Sequence, residues 1–204
     1  MALSFKAKKR LIIGAFASVA AGWSGATALI PITGPLLADT AGLTILTTAM
    51  AYSLSILYNK QIGIASLAAF ASVAIGATLG QLALKVGASL LPIFGSYFNA
   101  SVTFILHASI GWTLCEIFDS GRNLDEISSV EIKEIIRRNK EKSEKEKEKF
   151  DSAMNQISYS DKQEVQQLMK KLKNKKLTEY QYSQIMNDII AIFDRNGVSS
   201  PFED

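Results

Sequence analysis

In 204 residues the chain has one cysteine, one histidine and four prolines. A lone cysteine, Cys115, excludes an internal disulfide framework and a multi-cysteine zinc site. A lone histidine, His107, leaves no imidazole pair for metal chemistry. No Gly-x-x-x-x-Gly-Lys-Ser/Thr loop occurs, so the chain is not itself a P-loop nucleotide hydrolase. The largest deficit is of charge. Between Leu11 and Phe118 the only formal charges are Asp39, Lys60, Lys85 and Glu116. With Asp39, His107, Cys115 and Glu116 as the block's only reactive candidates, nothing supplies a nucleophile with its base or a convergent ligand set. No enzyme, metal or cofactor is expected. Lysine plus arginine is 22 against 19 acids, a net +3, too slight to imply nucleic acid.

What is present divides into an uncharged block and a charge-dense block, which suggests two physical environments for one polypeptide. The uncharged block turns on two short apolar reversals. Leu29-Ile30-Pro31-Ile32-Thr33-Gly34-Pro35 is the first, and Leu90-Leu91-Pro92-Ile93-Phe94-Gly95-Ser96 is the second. Proline cannot continue a helix and glycine accepts the dihedrals of a sharp turn, so each reads as the tip of a helical hairpin. The tip residues are Pro31, Gly34 and Pro35 in one copy and Pro92 and Gly95 in the other.

Four apolar helices are expected, over about 9–29, 35–58, 64–88 and 96–118. Gly14, Ser18 and Gly22 fall four apart on the first, a stripe that admits close approach of another helix. Ser72, Gly76 and Gly80 repeat that spacing on the third, and Gly111 offers a similar close contact on the fourth. Phe16-Ala-Ser-Val-Ala20 reappears as Phe70-Ala-Ser-Val-Ala74. A shared pentamer and a shared turn in the same order point to a duplicated hairpin. The second helix carries Thr40, Thr44, Thr47, Thr48, Ser53 and Ser55 opposite an apolar stripe of Leu43, Leu46, Met50 and Leu57. Asp39 near its start complements the helix dipole, although an ionisable group in an apolar segment is also a candidate for a polar role within a membrane. His107 invites the same two readings, as an interhelical hydrogen-bonding residue or as a functional one. Lys6, Lys8, Lys9 and Arg10 before an apolar run resemble the start of a signal peptide. The internal echo of that run argues that it belongs to the fold.

After Gly121 the chemistry changes. Ser128 or Ser129 caps a helix through Ile132, Ile135 and Ile136, which leads into the mixed-sign run 140–149. That run has no apolar face, so it reads as a solvated helix or a spacer. Val165, Leu168, Met169 and Leu172 follow the spacing of a buried helix face. Thr178 with Gln181 has the form of a capping box ahead of Tyr182, Ile185, Met186, Ile189, Ile190 and Phe193. The fold class is therefore all-α: four apolar helices as two duplicated hairpins, a charged helix, and a small amphipathic hairpin. The expected divisions are 1–119, 120–160 and 161–204. Lysines 170, 171, 173, 175 and 176 crowd the turn of the last hairpin, either solvated or against acidic lipid head groups.

Four long uncharged helices fit the length needed to cross a bilayer, and four crossings would place both basic-rich ends on the cytoplasmic side. Insertion of the tips into one leaflet is the second expectation, provided their backbone groups are satisfied inside the bundle. A soluble, hydroxyl-rich bundle is the third, opposed by the lack of a polar face on the first and third helices.

The turn at Ile30–Gly34, the helix ending Met50-Ala-Tyr-Ser-Leu-Ser-Ile-Leu-Tyr58, Gly76 and Gly80, the second turn at Leu91–Gly95 and the closing Ile110-Gly111-Trp112-Thr113 together resemble the YcjF-type membrane-associated domain. The resemblance spans Ala20 to Phe118. It implies a bacterial inner-membrane protein of the kind found behind Era-like GTPase domains or standing alone, with a lipid bilayer and a separately encoded GTPase as expected partners. The tail of residues 120–204 would recruit that partner. The functional expectation is a non-enzymatic membrane scaffold or adaptor. A pore-forming or membrane-perturbing protein and a soluble helical interaction module are the alternatives. Glycine stripes serve packing within one chain or between chains, so a homo-oligomer is also open.

Overall fold

A computed structural model describes residues 2–27, 35–86, 92–174 and 176–198. The described chain is all-helical. Seven helices follow in order: α1 Phe5–Thr27, α2 Pro35–Leu57, α3 Ile64–Val86, α4 Pro92–Asp119, α5 Ser129–Gln156, α6 Tyr159–Leu172 and α7 Glu179–Arg195. A 3-10 turn at Leu124–Glu126 separates α4 from α5.

Local chemistry sets most of the boundaries. Proline opens α2 and α4, where its fixed φ suits the first helical position and its missing N–H was unpaired in any case. For α4 this moves the start four residues ahead of the expected Ser96. Gly95 therefore lies in the first turn of the helix. Asn59 ends the α2 segment in the left-handed region (φ 53°), with Lys60 N–H donating to the Ser55 carbonyl and Asn59 N–H to Ile56. That is the closing motif usually built on glycine, here on the residue type that next best tolerates it. Gly197 ends α7 in the same way, at φ 65°, and turns Val198 into the core. Ser128, Ser158 and Thr178 cap α5, α6 and α7 through side-chain oxygens, and Thr178 with Gln181 forms the full reciprocal box.

The architecture places α1 at the centre. It packs most extensively against α4 and also touches α2, α5, α6 and α7. From Leu11 to Ala21 every side chain but that of Ser18 is buried. A helix apolar all round must be enclosed by something, and over this stretch other helices of the same chain enclose it. Its missing polar face follows from that position.

The tail is part of the same core. One buried cluster runs from Leu3, Phe16 and Phe118 into Ile132, Phe150, Val165, Leu172, Met186 and Phe193. The mixed-sign run of α5 indeed lacks an apolar face, but it has a buried one. Asn139, Ser143, Glu146, Phe150 and Ala153 fall at alternating spacings of three and four and all point inward. Side-chain partners replace apolar packing along this stripe. Asn139 donates to Glu116 at 3.0 Å, the Ser109 hydroxyl donates to Ser143 at 3.1 Å, and Glu146 meets Arg10. Among the described residues, no helix is long and apolar enough to cross a membrane.

Candidate functional site

The residues singled out by sequence separate into filled and unfilled positions. Gly14 is filled from outside the apolar block: a Cβ there would lie 2.5 Å from Phe150 Cδ2 of α5. Gly111 is filled from within it, because a Cβ would lie 2.8 Å from Ile13 Cγ1 and 3.2 Å from Met50 Sδ. Both glycines exist so that a neighbour can come closer than any side chain would allow. Ser18 is half-buried and Gly22 is exposed, with the Lys173 ammonium 3.4 Å from where its Cβ would be. Ser72 and Gly76 are exposed, and nothing lies within 4 Å of a Cβ at Gly76. Pro31 and Gly34 lie outside the described residues. Asp39 falls within α2, Gly80 within α3, and Pro35, Pro92 and Gly95 within first helical turns, but their side chains lie outside the described residues.

His107 is enclosed. Its Nε2 lies 3.4 Å from the Thr47 hydroxyl, which itself donates to the Leu43 carbonyl at 2.8 Å. With that proton committed, the threonine oxygen is the acceptor for the imidazole N–H. A cavity of about 10 Å³ beside Leu43, Ile75, Leu106 and Ile110 leaves room for one water at most. Burial lowers the imidazole pKa to about 4, so the ring is neutral. Among the described residues, no group of three acidic, histidine or cysteine side chains is placed to hold a metal.

Four hydroxyls of α2 are satisfied within their own helix. Thr47 and Thr48 donate to the carbonyls of Leu43 and Thr44, Ser53 to Ala49 and Ser55 to Tyr52. All four are buried. Such back-bonding lets a hydroxyl sit in an apolar interior without a second helix to receive it.

Two polar clusters sit where α1 begins, and periodicity did not reveal them. Lys9 donates to the Tyr58 hydroxyl at 2.9 Å and to Asp119 at 3.3 Å, and its ammonium lies 5.6 Å from the ring centre of Trp112. Lys142 of α5 approaches the same indole at 3.5 Å, so two cations share one aromatic ring. Burial, followed by repulsion from Lys9, holds the Lys142 ammonium below its ordinary value. Tyr58 makes edge contacts to Phe5 and Phe118 at 4.9 and 5.2 Å. Cys115 lies beside them, its thiol pushed up to about 12, chiefly by burial. A thiol so placed stays protonated and unreactive at neutral pH. Deeper in, Arg10 Nε and Glu146 Oε1 are 3.5 Å apart with both side chains under one tenth exposed. Burial pushes the Glu146 carboxyl up, and Arg10 opposes it. These clusters fasten α5 to α1 and α4. The sequence signal was the inward spacing of Asn139, Ser143 and Glu146 inside a lysine–glutamate run.

The remaining surface feature is the α6–α7 turn. Lys170, Lys171, Lys173 and Lys176 are exposed, and Tyr180 is 61% exposed just beyond them. The Lys173 ammonium beside Gly22 places this turn near the end of the buried run of α1. At the other end of the hairpin, Arg195 pairs with Asp161 and Glu164, and Asp194 accepts from the Leu3 amide.

No family model matches the chain, and no curated protein or solved structure matches it.

Proposed function

We propose that the protein is a non-enzymatic membrane-anchored scaffold or adaptor, held by its two apolar tips in one leaflet while α5, α6 and α7 stay in water. The observation that carries this reading is where the buried run of α1 stops. On α1 the buried run ends at Ala21, and Gly22 is exposed. Past that level α1 continues for six residues to Thr27, about 9 Å of helix, and α4 has ten residues before Val102, about 15 Å. Between residues 22 and 41 and between 79 and 101 the only charges are Asp39 and Lys85. Uncharged helix ends of 9 to 15 Å match about half of a hydrocarbon core of roughly 30 Å. Crossing would require the charged faces of α5–α7 to enter lipid or to leave α1. Dissociating them would strip Arg10 from Glu146 and Phe150 from Gly14. The resemblance to the YcjF-type domain supports the same location, a bacterial inner membrane with both termini cytoplasmic, and a GTPase as the class of partner. The partner-binding surface is then the outer, charged face of α5 together with α6 and α7, presented on a rigid bundle.

The test is accessibility labelling at Thr33 and Phe94, each changed to cysteine on a Cys115→Ser background, in vesicles with one orientation of the full chain. Protection from both sides is the expected result. Labelling from the far side means crossing, and free labelling from the near side means that the tips do not insert.

A further inference from the structure

This inference rests on the leaflet-inserted reading. We infer that the α6–α7 turn is a collar that binds acidic phospholipid head groups and sets the depth and tilt of the bundle. Two observations on different elements agree. Lys173 lies beside Gly22, the exposed residue that follows the buried run Leu11–Ala21 of α1, so the turn is level with the end of that run. Tyr180, the second residue of α7, is 61% exposed on the same end, and an exposed tyrosine is the aromatic type that settles at a membrane–water boundary.

Charge is distributed to suit. From Val165 to Thr178 the sequence has lysines and no acid. Of the hairpin's five acids, Asp161, Glu164 and Asp194 gather at its far end around Arg195 and the Leu3 amide, Asp188 lies along α7, and Glu179 opens α7 beside the turn. The α6–α7 turn, with five lysines against Glu179, is therefore net basic, and most of the hairpin's acids lie at its other end. Lysine near the end of α6 also complements that helix's dipole, but one or two residues suffice for that role. Lys176 lies beyond the helix altogether. A lysine at an anionic bilayer surface strengthens binding roughly fivefold, so four give a large composition dependence.

The experiment is flotation of the full chain with vesicles of phosphatidylcholine alone and with about one third phosphatidylglycerol, at low and physiological salt. The wild type is expected to bind both, and the anionic vesicles at least about tenfold more strongly, with the difference shrinking as salt rises. The variant Lys170→Gln/Lys171→Gln/Lys173→Gln/Lys176→Gln should lose that increment and keep its binding to neutral vesicles. A second variant, Lys6→Gln/Lys8→Gln, removes charge at the opposite end and should keep the increment. Binding to neutral vesicles with no anionic increment overturns the collar alone, as does an increment that survives the four-lysine variant or vanishes in the Lys6/Lys8 variant. Failure to bind either vesicle overturns the leaflet reading as well.

Discussion

Phe16–Ala20 and Phe70–Ala74 are the same five residues, Phe-Ala-Ser-Val-Ala, placed on α1 and α3. The phenylalanines are buried in both copies, and so are the two alanines. The copies part at the outer face. Val19 is 1% exposed and Val73 is 36%, while Ser18 is half-buried and Ser72 exposed. Nothing in the pentamer accounts for this. The difference lies in the neighbours: α4, α6 and α7 pack against α1 and not substantially against α3, whereas α5 packs against both. The α1 pentamer lies at the centre of the bundle, and α3 has an uncharged outer face with Ala65, Ala69, Ser72, Val73 and Gly76 exposed. Repeated sequence thus specifies the inward half of a helix, and the neighbours supplied elsewhere in the chain decide what the outward half becomes.

The most forceful way to break this comparison is to place a charge at the same position of each copy. Val19→Asp buries a carboxylate among apolar side chains with no partner, a change expected to cost more than about 4 kcal/mol and to abolish cooperative folding. Val73→Asp puts the same group on a partly exposed face and should change stability by less than about 1 kcal/mol. Urea titration of the two variants against the wild type measures the difference. Equal effects would mean that the cover over α1 is not stable in solution.

Much of this arrangement was legible. The four apolar segments, a cap at Ser128 or Ser129 and the capping box at Thr178 follow from local residue chemistry, and the structure has them, with Ser128 as the cap. The burial of His107 and Cys115 was legible too, from their apolar surroundings. The cover was not. Its inward stripe on α5 is Asn139, Ser143 and Glu146, and a hydropathy pattern treats those as solvent-facing. They are buried because Glu116, Ser109 and Arg10 wait for them on other helices, and a partner distant in sequence leaves no mark on periodicity. Lys9, Trp112 and Lys142 escape for the same reason. The wholly apolar first helix is equally consistent with lipid or with protein around it.

A second break acts on the packing between α2 and α4, next to the enclosed axis. His107 has a folded pKa lowered to about 4, below the ordinary 6.5 of an unfolded chain. A depressed pKa means that its contribution is complete above about 6.5 and is lost as the pH falls toward 4, by about 2 to 3 kcal/mol at pH 4.5. The raised carboxyl of Glu146 works in the opposite direction, so the wild-type profile mixes the two. His107→Gln keeps a donor for Thr47 and removes the titration. Its loss of stability between pH 7 and 4.5 should be smaller than that of the wild type by about that amount. Parallel profiles would mean that the imidazole reaches water.

The finest test uses the glycines, where the two helices make opposite predictions from the same substitution. Gly14→Ala forces a methyl into the space held by Phe150, whose Cγ would be 2.9 Å away and whose Cβ would be 3.2 Å away. The near end of that side chain cannot swing clear, so α5 itself must shift, at about 1 to 3 kcal/mol. Gly76→Ala meets nothing within 4 Å and replaces a poor helix former inside α3. It should stabilise the protein by about 0.5 to 1 kcal/mol, because alanine restricts the unfolded chain and suits the helix better. The contrast in sign is the diagnostic, since an intrinsic helix effect alone would make both substitutions favourable. If Gly76→Ala proved destabilising instead, the outer face of α3 would have to be occupied in solution, and a second copy of the chain would be the first occupant to seek, by comparing the sedimentation of Gly76→Ala with that of the wild type.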